Sequence, residues 1–459
     1  MKDLSKISNV WFIGIGGIGM SALARYFAAG GFTVGGYDRT ESPLTGSLTS
    51  EGMDLIFKDD PDEVPRRYLD RERSLIVYTP AIPGDNSILN YFRSGGYKMH
   101  KRSEILGVIS KNTRSIAVAG THGKTSVSTL AAHLLKQSET DCSAFLGGIS
   151  KNYNTNLLTG TGAITVMEAD EFDRSFLHLY PEMALITSLD ADHLDVYGDH
   201  KSMVGAYQEF TGNIRDGGII IINEKIAGRL RIPGGIRSYT YGFSDSSDYY
   251  PSDITVTDGA YRFHIHGPEG VIKDISLLVP GKMNIENATG AVALAQLAGA
   301  SDDDIRKALL YYKGVARRFD LRISSDSIIY IDDYAHHPEE LKYCIESVRE
   351  FYGNRKITGI FQPHLYTRTR DHAAAFAAAL DKLDRAVLLP VYPAREEPIK
   401  GVESGMIYEM MNLKHKQMAG KQEVPELLED MDIEVLLTMG AGDIDRLVGP
   451  IENMLKRRM

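Results

Sequence analysis

The run Ser115-Ile116-Ala117-Val118-Ala119-Gly120-Thr121-His122-Gly123-Lys124-Thr125 takes a short apolar strand (115–119) into a glycine turn and opens a helix over 125–137. A glycine turn there lets backbone N–H groups face a phosphate. Lys124 adds charge for the β and γ groups, and the Thr125 hydroxyl reaches Mg²⁺. The full G-x-x-x-x-G-K-[ST] motif needs glycine at position 118, where this chain has Val118, so the loop is a shortened variant. The plain alternative is a chance Gly-Lys-Thr at a helix start, and the order strand, loop, Lys, Thr argues against it.

Upstream, the strand 10–15 runs into Gly14-Ile15-Gly16-Gly17-Ile18-Gly19, then a helix over 19–29 and a strand over 32–37. That is a βαβ unit with a G-x-G-x-x-G turn. Asp38 stands at the end of the second strand, where a carboxylate can accept from a ribose hydroxyl. NAD fits this turn and so does UDP, since both present a pyrophosphate and a ribose. The bland reading is close helix packing alone. A second glycine loop carrying Lys124 and Thr125 decides against a simple dehydrogenase, which has no need of them.

Further strands are expected at 74–79, 163–167, 183–188 and 218–222. Short alternating segments follow at 254–256, 261–265 and 275–278, taken as antiparallel strands attached to the central sheet, and then a helix over 284–298. From about 321, strands at 328–332, 356–361, 385–389 and 435–439 alternate with helices such as 337–352 and 370–383. The fold class is α/β in three domains, 1–112, 113–320 and 321–459. The first and third are Rossmann-like, and the central one is a P-loop-type ATPase domain with a mixed sheet.

Composition bounds the rest. The chain of 459 residues is too long for one ordinary core. Its net charge of −10 argues against a nucleic-acid binder. Two cysteines form no disulfide framework, and no apolar run of membrane-spanning length exists. A cytoplasmic protein without membrane insertion is expected.

Mg-ATP chemistry needs hard oxygen ligands. Glu168-Ala169-Asp170-Glu171 follows a strand end, and so does Asp190-Ala191-Asp192-His193-Leu194-Asp195. A solvated acidic turn and a structural histidine are the bland readings. Asn284 and Asn287 lie one turn apart at a helix start, as ligand contacts or as caps. Arg317-Arg318 precede Phe319 at a domain joint, to hold phosphate or to bridge domains.

Together these segments resemble the Mur ligase family. Gly120 to Thr125 looks like its ATP loop, and the segments at Glu168 and His193 look like its metal-binding segments. Gly281-Lys282-Met283-Asn284-Ile285-Glu286-Asn287 resembles its nucleotide-contacting helix start, and 314–319 resembles its arginine hinge. Gly14 to Met20, Asp332 to Pro338, Phe361-Gln362-Pro363-His364 and Gly440 to Ile444 resemble the members that add L-alanine. The resemblance implies ligation of L-alanine to the lactyl carboxylate of UDP-N-acetylmuramate, driven by ATP and Mg²⁺ through an acyl phosphate. It implies Gly14, Gly16, Gly17, Gly19 and Asp38 at UDP-sugar. It places Gly120, Thr121, His122, Gly123, Lys124, Thr125, Ser126, Asn284, Asn287, Arg318 and Asp333 at ATP. Metal falls to Thr125, Glu168 and His193, and the amino acid to Tyr334, His336 and Arg368. Lys124, Glu168, His193 and Arg368 carry the chemistry, in a monomer or homodimer. The family usually has His at Met283 and Arg at Leu365, which leaves Arg368 and Arg370 as the alanine-side cations. The alternatives are the family's peptide-recycling ligase, an NAD-dependent oxidoreductase and a non-catalytic nucleotide-binding regulator.

Overall fold

A computed structural model describes residues 6–191, 194–257, 260–394 and 396–459. Each short apolar run forms a strand buried on both faces, as a parallel sheet covered by helices requires. The first sheet is parallel throughout, in the order Asp54–Ile56, Thr33–Tyr37, Asn9–Ile13, Ser74–Tyr78, Lys98–Lys101. The strand order reverses at Asn9–Ile13, so the glycine loop after it opens at the switch point where ligands bind.

The second sheet has the order Arg237–Tyr241, Ile219–Asn223, Met183–Ile186, Arg114–Ala119, Ile164–Glu168, Ser143–Ser150, Thr155–Leu158. It is parallel except for the last two strands, which form an antiparallel hairpin. Arg114–Ala119 lies between Met183–Ile186 and Ile164–Glu168. That order alone brings the Lys124 loop, the Glu168 segment and the Ser188 segment to one edge.

The alternating segments form a separate three-stranded sheet, Tyr250–Thr257, Ala260–Gly267 and Gly270–Leu277. The expectation that they join the central sheet is corrected. Alternation specifies a half-buried strand but does not name its partner.

The third sheet region has the order Asp320–Ser324, Ile329–Asp333, Val435–Met439, Ile357–Phe361, Arg385–Leu388, Lys416–Met418. Its first pair is antiparallel and the rest are parallel. The loops after Asp333, Phe361 and Met439 therefore leave neighbouring strands at the same end.

By contacts the chain divides into two compact units. One holds Met1–Ile254, Phe263–Ser276 and Glu286–Tyr312, and the other holds the remainder. The first two sheets share the first unit because their helices and strands bury one apolar cluster, with Phe12, Phe27, Phe145 and Phe176 all inside it. No described helix is long and apolar enough to cross a membrane.

Candidate active site

The first loop is held by its own backbone and by Asp38. Gly14 takes φ +89° and donates to the Tyr37 carbonyl at 2.7 Å. Gly17 caps the helix Ile18–Ala29 without a side-chain partner, leaving N–H groups of the first turn facing outward. Asp38 accepts from the Gly16 N–H at 2.8 Å and from the Thr40 N–H at 3.1 Å. Asp38 was expected to meet a ribose. It fixes the glycine turn first, and its remaining lone pairs are what it has to offer a ligand. Gly19 lies in the first helical turn, directly against the Arg102 guanidinium.

The second loop is more tightly built. Gly120 and Gly123 have φ of +128° and +80°, conformations that only glycine adopts cheaply. Ser188 binds it from the neighbouring strand end, receiving the His122 N–H at 2.8 Å and meeting the Thr121 hydroxyl at 2.9 Å. The Thr187 hydroxyl donates to the His122 carbonyl. Lys124 opens the helix Lys124–Lys136, with Thr125 buried behind it and Ser126 in the same first turn.

The Lys124 ammonium donates to the Gly120 carbonyl at 2.6 Å and lies 2.9 and 2.8 Å from the two oxygens of Glu171, whose side chain is fully buried. Burial works against the ammonium, but Glu171, Glu168 and Asp170 together outweigh it and raise its pKa. Burial raises the pKa of Glu171 despite Lys124. The sequence showed the acidic segment but assigned no role to Glu171. Nothing local separates it from its neighbours.

Glu168 ends its strand beside Gly147, and a methyl group there would overlap its carboxylate. Thr125, in the first turn of the helix after the loop, and Glu168, at the end of the neighbouring strand, offer hydroxyl and carboxylate oxygen, the donor chemistry that Mg²⁺ takes. Among the described residues no three His, Cys, Asp or Glu side chains form a metal-holding group. Mg²⁺ does not require one, since it keeps waters and phosphate oxygens as ligands. His193, with Asp192, lies outside the described residues.

At the helix Lys282–Ala298 the two asparagines part. Asn284 donates to the Pro280 carbonyl at 2.6 Å, which is a local fastening. Asn287 is buried, and its Oδ1 lies against Gly123 of the second loop. Met283, at the position where the family usually has His, is 38% exposed and so brings no polar contact of its own there.

The second unit carries its own cluster. Asp333 accepts from the Phe319 N–H at 2.6 Å and the Ala335 N–H at 2.7 Å. Burial pushes its pKa up to about 6 even though Arg318 pulls it down. The Arg317 and Arg318 guanidinia each sit 5.1 Å from the Tyr334 ring centre. Arg317 is further tied to Asp332 at 3.1 Å and to the Gly440 carbonyl at 2.5 Å. Arg317 is therefore fastened within its own unit.

His336 stands edge-on to Tyr334 at 5.2 Å and to His364 at 5.7 Å. Burial lowers its pKa, Glu340 opposes that, and the charges of Arg368 and Arg318 depress it further. The Arg368 charge thus acts on His336. Arg370 pairs with Asp371 at 2.7 Å on the exposed side of its helix. Leu365 caps that helix at φ +70° with its side chain buried, so it contributes shape there and no charge. Tyr392 stacks on His364 at 5.9 Å, a lining residue with no signal in the sequence.

A Lys-bearing glycine loop, an acidic strand end and a second glycine loop define a nucleotide-dependent phosphoryl-transfer enzyme. Three Mur ligase models match the chain: the family's catalytic domain over residues 9–114, its middle domain over 118–295 and its glutamate ligase domain over 317–443. The UDP-N-acetylmuramate–L-alanine ligase of Parabacteroides distasonis is 48% identical over 458 residues, covering 100% of this chain and 99% of that one. That of Porphyromonas gingivalis strain ATCC 33277 is 48% identical over 453 residues, covering 98% and 99%. The crystal structure of the UDP-N-acetylmuramate–alanine ligase of Thermotoga maritima superposes with a TM-score of 0.82 at 26% identity, covering 98% and 100%. This chain belongs to the Mur ligase family.

Proposed function

We propose that the chain ligates L-alanine to the lactyl carboxylate of UDP-N-acetylmuramate at the expense of ATP, a cytoplasmic step in peptidoglycan precursor synthesis. The observation that carries the chemistry is the Lys124 ammonium of the second glycine loop, held at 2.8 Å from Glu171 in the acidic segment that begins at Glu168. Full-length relatives bearing that activity in their names support the choice of substrates.

In the first step a carboxylate oxygen attacks the γ-phosphorus and the bond to ADP breaks, giving an acyl phosphate. In the second the alanine nitrogen attacks the carbonyl carbon, phosphate leaves and the amine loses a proton. Both steps move negative charge onto phosphate oxygens, which preorganised cations stabilise. Lys124 supplies one such charge, with loop N–H groups cradling the phosphates. Mg²⁺, held by Thr125 and Glu168 with His193, would neutralise the transferring group.

The roles divide over 1–112 for UDP-sugar, 113–320 for ATP and 321–459 for the amino acid and ATP. Gly14, Gly16, Gly17 and Gly19 receive the diphosphate. Asn287, Arg318 and Asp333 face ATP. Arg368 holds the alanine carboxylate, because a guanidinium can donate two parallel hydrogen bonds. Burial, with the charges of Arg368 and Arg318, lowers the pKa of His336 and so disfavours a second cation near Arg368.

Phosphate release tests the proposal, with ATP, Mg²⁺, UDP-N-acetylmuramate and L-alanine each omitted in turn. Release is expected only when all four are present, and L-alanine should outperform glycine, L-serine and an alanyl peptide. Release that ignores the amino acid, or preference for the peptide, sinks the assignment.

A further inference from the structure

The strands Ile357–Phe361 and Arg385–Leu388 are parallel neighbours, so the segments that leave them, 362–365 and 389–404, emerge side by side. The two segments are clasped in three places. The Leu365 N–H donates to the Tyr392 carbonyl at 2.9 Å, and the Tyr392 N–H donates to the Pro363 carbonyl at 2.8 Å. The Tyr392 ring stacks on His364. Further along, Glu396 reaches the start of the helix Tyr366–Leu380. One of its carboxylate oxygens accepts from the Thr367 N–H at 3.0 Å, and the other accepts from the Thr367 hydroxyl. Glu396 is half-buried there, while its neighbour Glu397 is exposed.

A helix start leaves its first N–H groups without partners inside the helix, and a Ser, Thr, Asp or Asn just before it commonly accepts from one of them. Here that residue is Leu365, which holds φ +70° and has no capping side chain. The conformation is costly for leucine and persists where neighbours fix it. Glu396 takes the capping role from 29 positions away, and its charge suits the positive end of the helix. The Thr367 N–H is thereby committed to the chain's own carboxylate rather than to a ligand's. Arg368 is the residue directly after Thr367, and its charge acts on His336. Within a helical turn, fixing the backbone at Thr367 fixes the direction in which the next side chain leaves.

We propose that Glu396 is a positioning residue for the amino-acid substrate: by clasping Thr367 it sets where the Arg368 guanidinium stands to receive the substrate carboxylate. Glu396 acts through Thr367 and not by touching substrate. A guanidinium that donates two parallel hydrogen bonds tolerates little displacement. A loosened helix start therefore weakens binding of the amino acid before it slows phosphoryl transfer. The proposal rests on the reading of Arg368 as the ligand of the alanine carboxylate.

Initial rates on the full chain test it, with L-alanine varied at saturating ATP, Mg²⁺ and UDP-N-acetylmuramate. Glu396→Gln keeps the size of the side chain and one oxygen acceptor, but loses the charge and the other acceptor. It should raise the KM for L-alanine about tenfold, the value of one hydrogen bond to a charged group, while kcat and the KM for ATP stay within about threefold of wild type. Glu396→Ala should raise the KM for L-alanine further. Thr367→Val keeps the backbone donor, so it should raise that KM less and add nothing to Glu396→Ala. In an Arg368→Ala background, Glu396→Gln should have no further effect on it. A merely structural clasp would lower the melting temperature and leave the KM for L-alanine alone. That result in Glu396→Gln overturns the proposal, as does an effect as large in the Arg368→Ala background as in wild type. Arg368→Lys with unaltered L-alanine kinetics would instead sink the reading of Arg368, and the proposal with it.

Discussion

The Lys124 ammonium is part-buried and desolvation works against its charge, but Glu171 at 2.8 Å, Glu168 and Asp170 outweigh that and raise its pKa. The pair holds Lys124 over the Gly120 carbonyl, within the second glycine loop. Glu171→Gln keeps the shape but removes the charge that anchors the ammonium. Turnover should fall on the order of tenfold or more, because a misplaced cation stabilises the transferring phosphoryl group poorly. The KM for ATP should rise while UDP affinity stays unchanged. Steady-state kinetics with UDP calorimetry checks this, and wild-type turnover refutes the role. The sequence offered four residues, Glu168 to Glu171, at a strand end, and that was enough to locate the acids. Which acid meets Lys124 depends on side-chain direction across two strands, and a linear pattern carries no such information.

Strands and glycine loops were the most legible elements, because each is specified by a few adjacent residues. Val435–Met439 occupies the residues its apolar run marks, and both loops open helices where the glycines put them. Pairing was less legible. Asp320–Ser324 is an antiparallel edge strand that polar residues disguise, and the three-stranded sheet was assigned to the wrong neighbour. The helix expected from 370 begins at Tyr366, because Leu365 starts it from a left-handed conformation that no simple rule assigns to leucine. The hairpin Ser143–Ser150 and Thr155–Leu158 hides another constraint. Its register breaks between Phe145 and Ser150, and Gly147 in that break makes room for the Glu168 carboxylate. Gly147→Ala should push Glu168 off its position. The Mg²⁺ concentration for half-maximal activity should rise about tenfold or more, on the order of what loss of a supporting contact costs a metal site. UDP binding should not change. A Mg²⁺ titration superimposable on wild type would show that the strand end tolerates the methyl group and that Glu168 is placed by something else.

At the scale of the molecule, the first two α/β regions pack within one compact unit. Asn156, fully buried in the central hairpin, donates to the Ile18 carbonyl at 2.6 Å and to the Ser21 hydroxyl at 2.9 Å, and accepts from Arg25. Arg25 also grips Glu51 with two nitrogens, at 2.6 and 2.8 Å. Tyr26 packs on Phe145 at 5.2 Å beside this network. The helix that carries the first glycine loop is therefore fastened to the sheet that carries the second. This coupling suits a reaction in which a carboxylate on one ligand must reach the γ-phosphate of another, since small misplacements of reacting groups are expensive. Asn156→Ala would strip one of two side-chain donors from the Ile18 carbonyl, which keeps the Ser21 hydroxyl, and would leave a part-buried Arg25 donor without its partner, at a cost of about 1–3 kcal/mol. The melting temperature should fall by several degrees. ATP binding, centred on Gly120 to Thr125, should change little. The KM for UDP-N-acetylmuramate should rise, because Ile18 to Ser21 form the first turn of the loop helix. Differential scanning calorimetry and initial rates at fixed ATP measure both effects. A variant that melts as wild type and keeps its KM would show that the two loops are positioned independently, and that proximity in the ligation comes from the ligands alone.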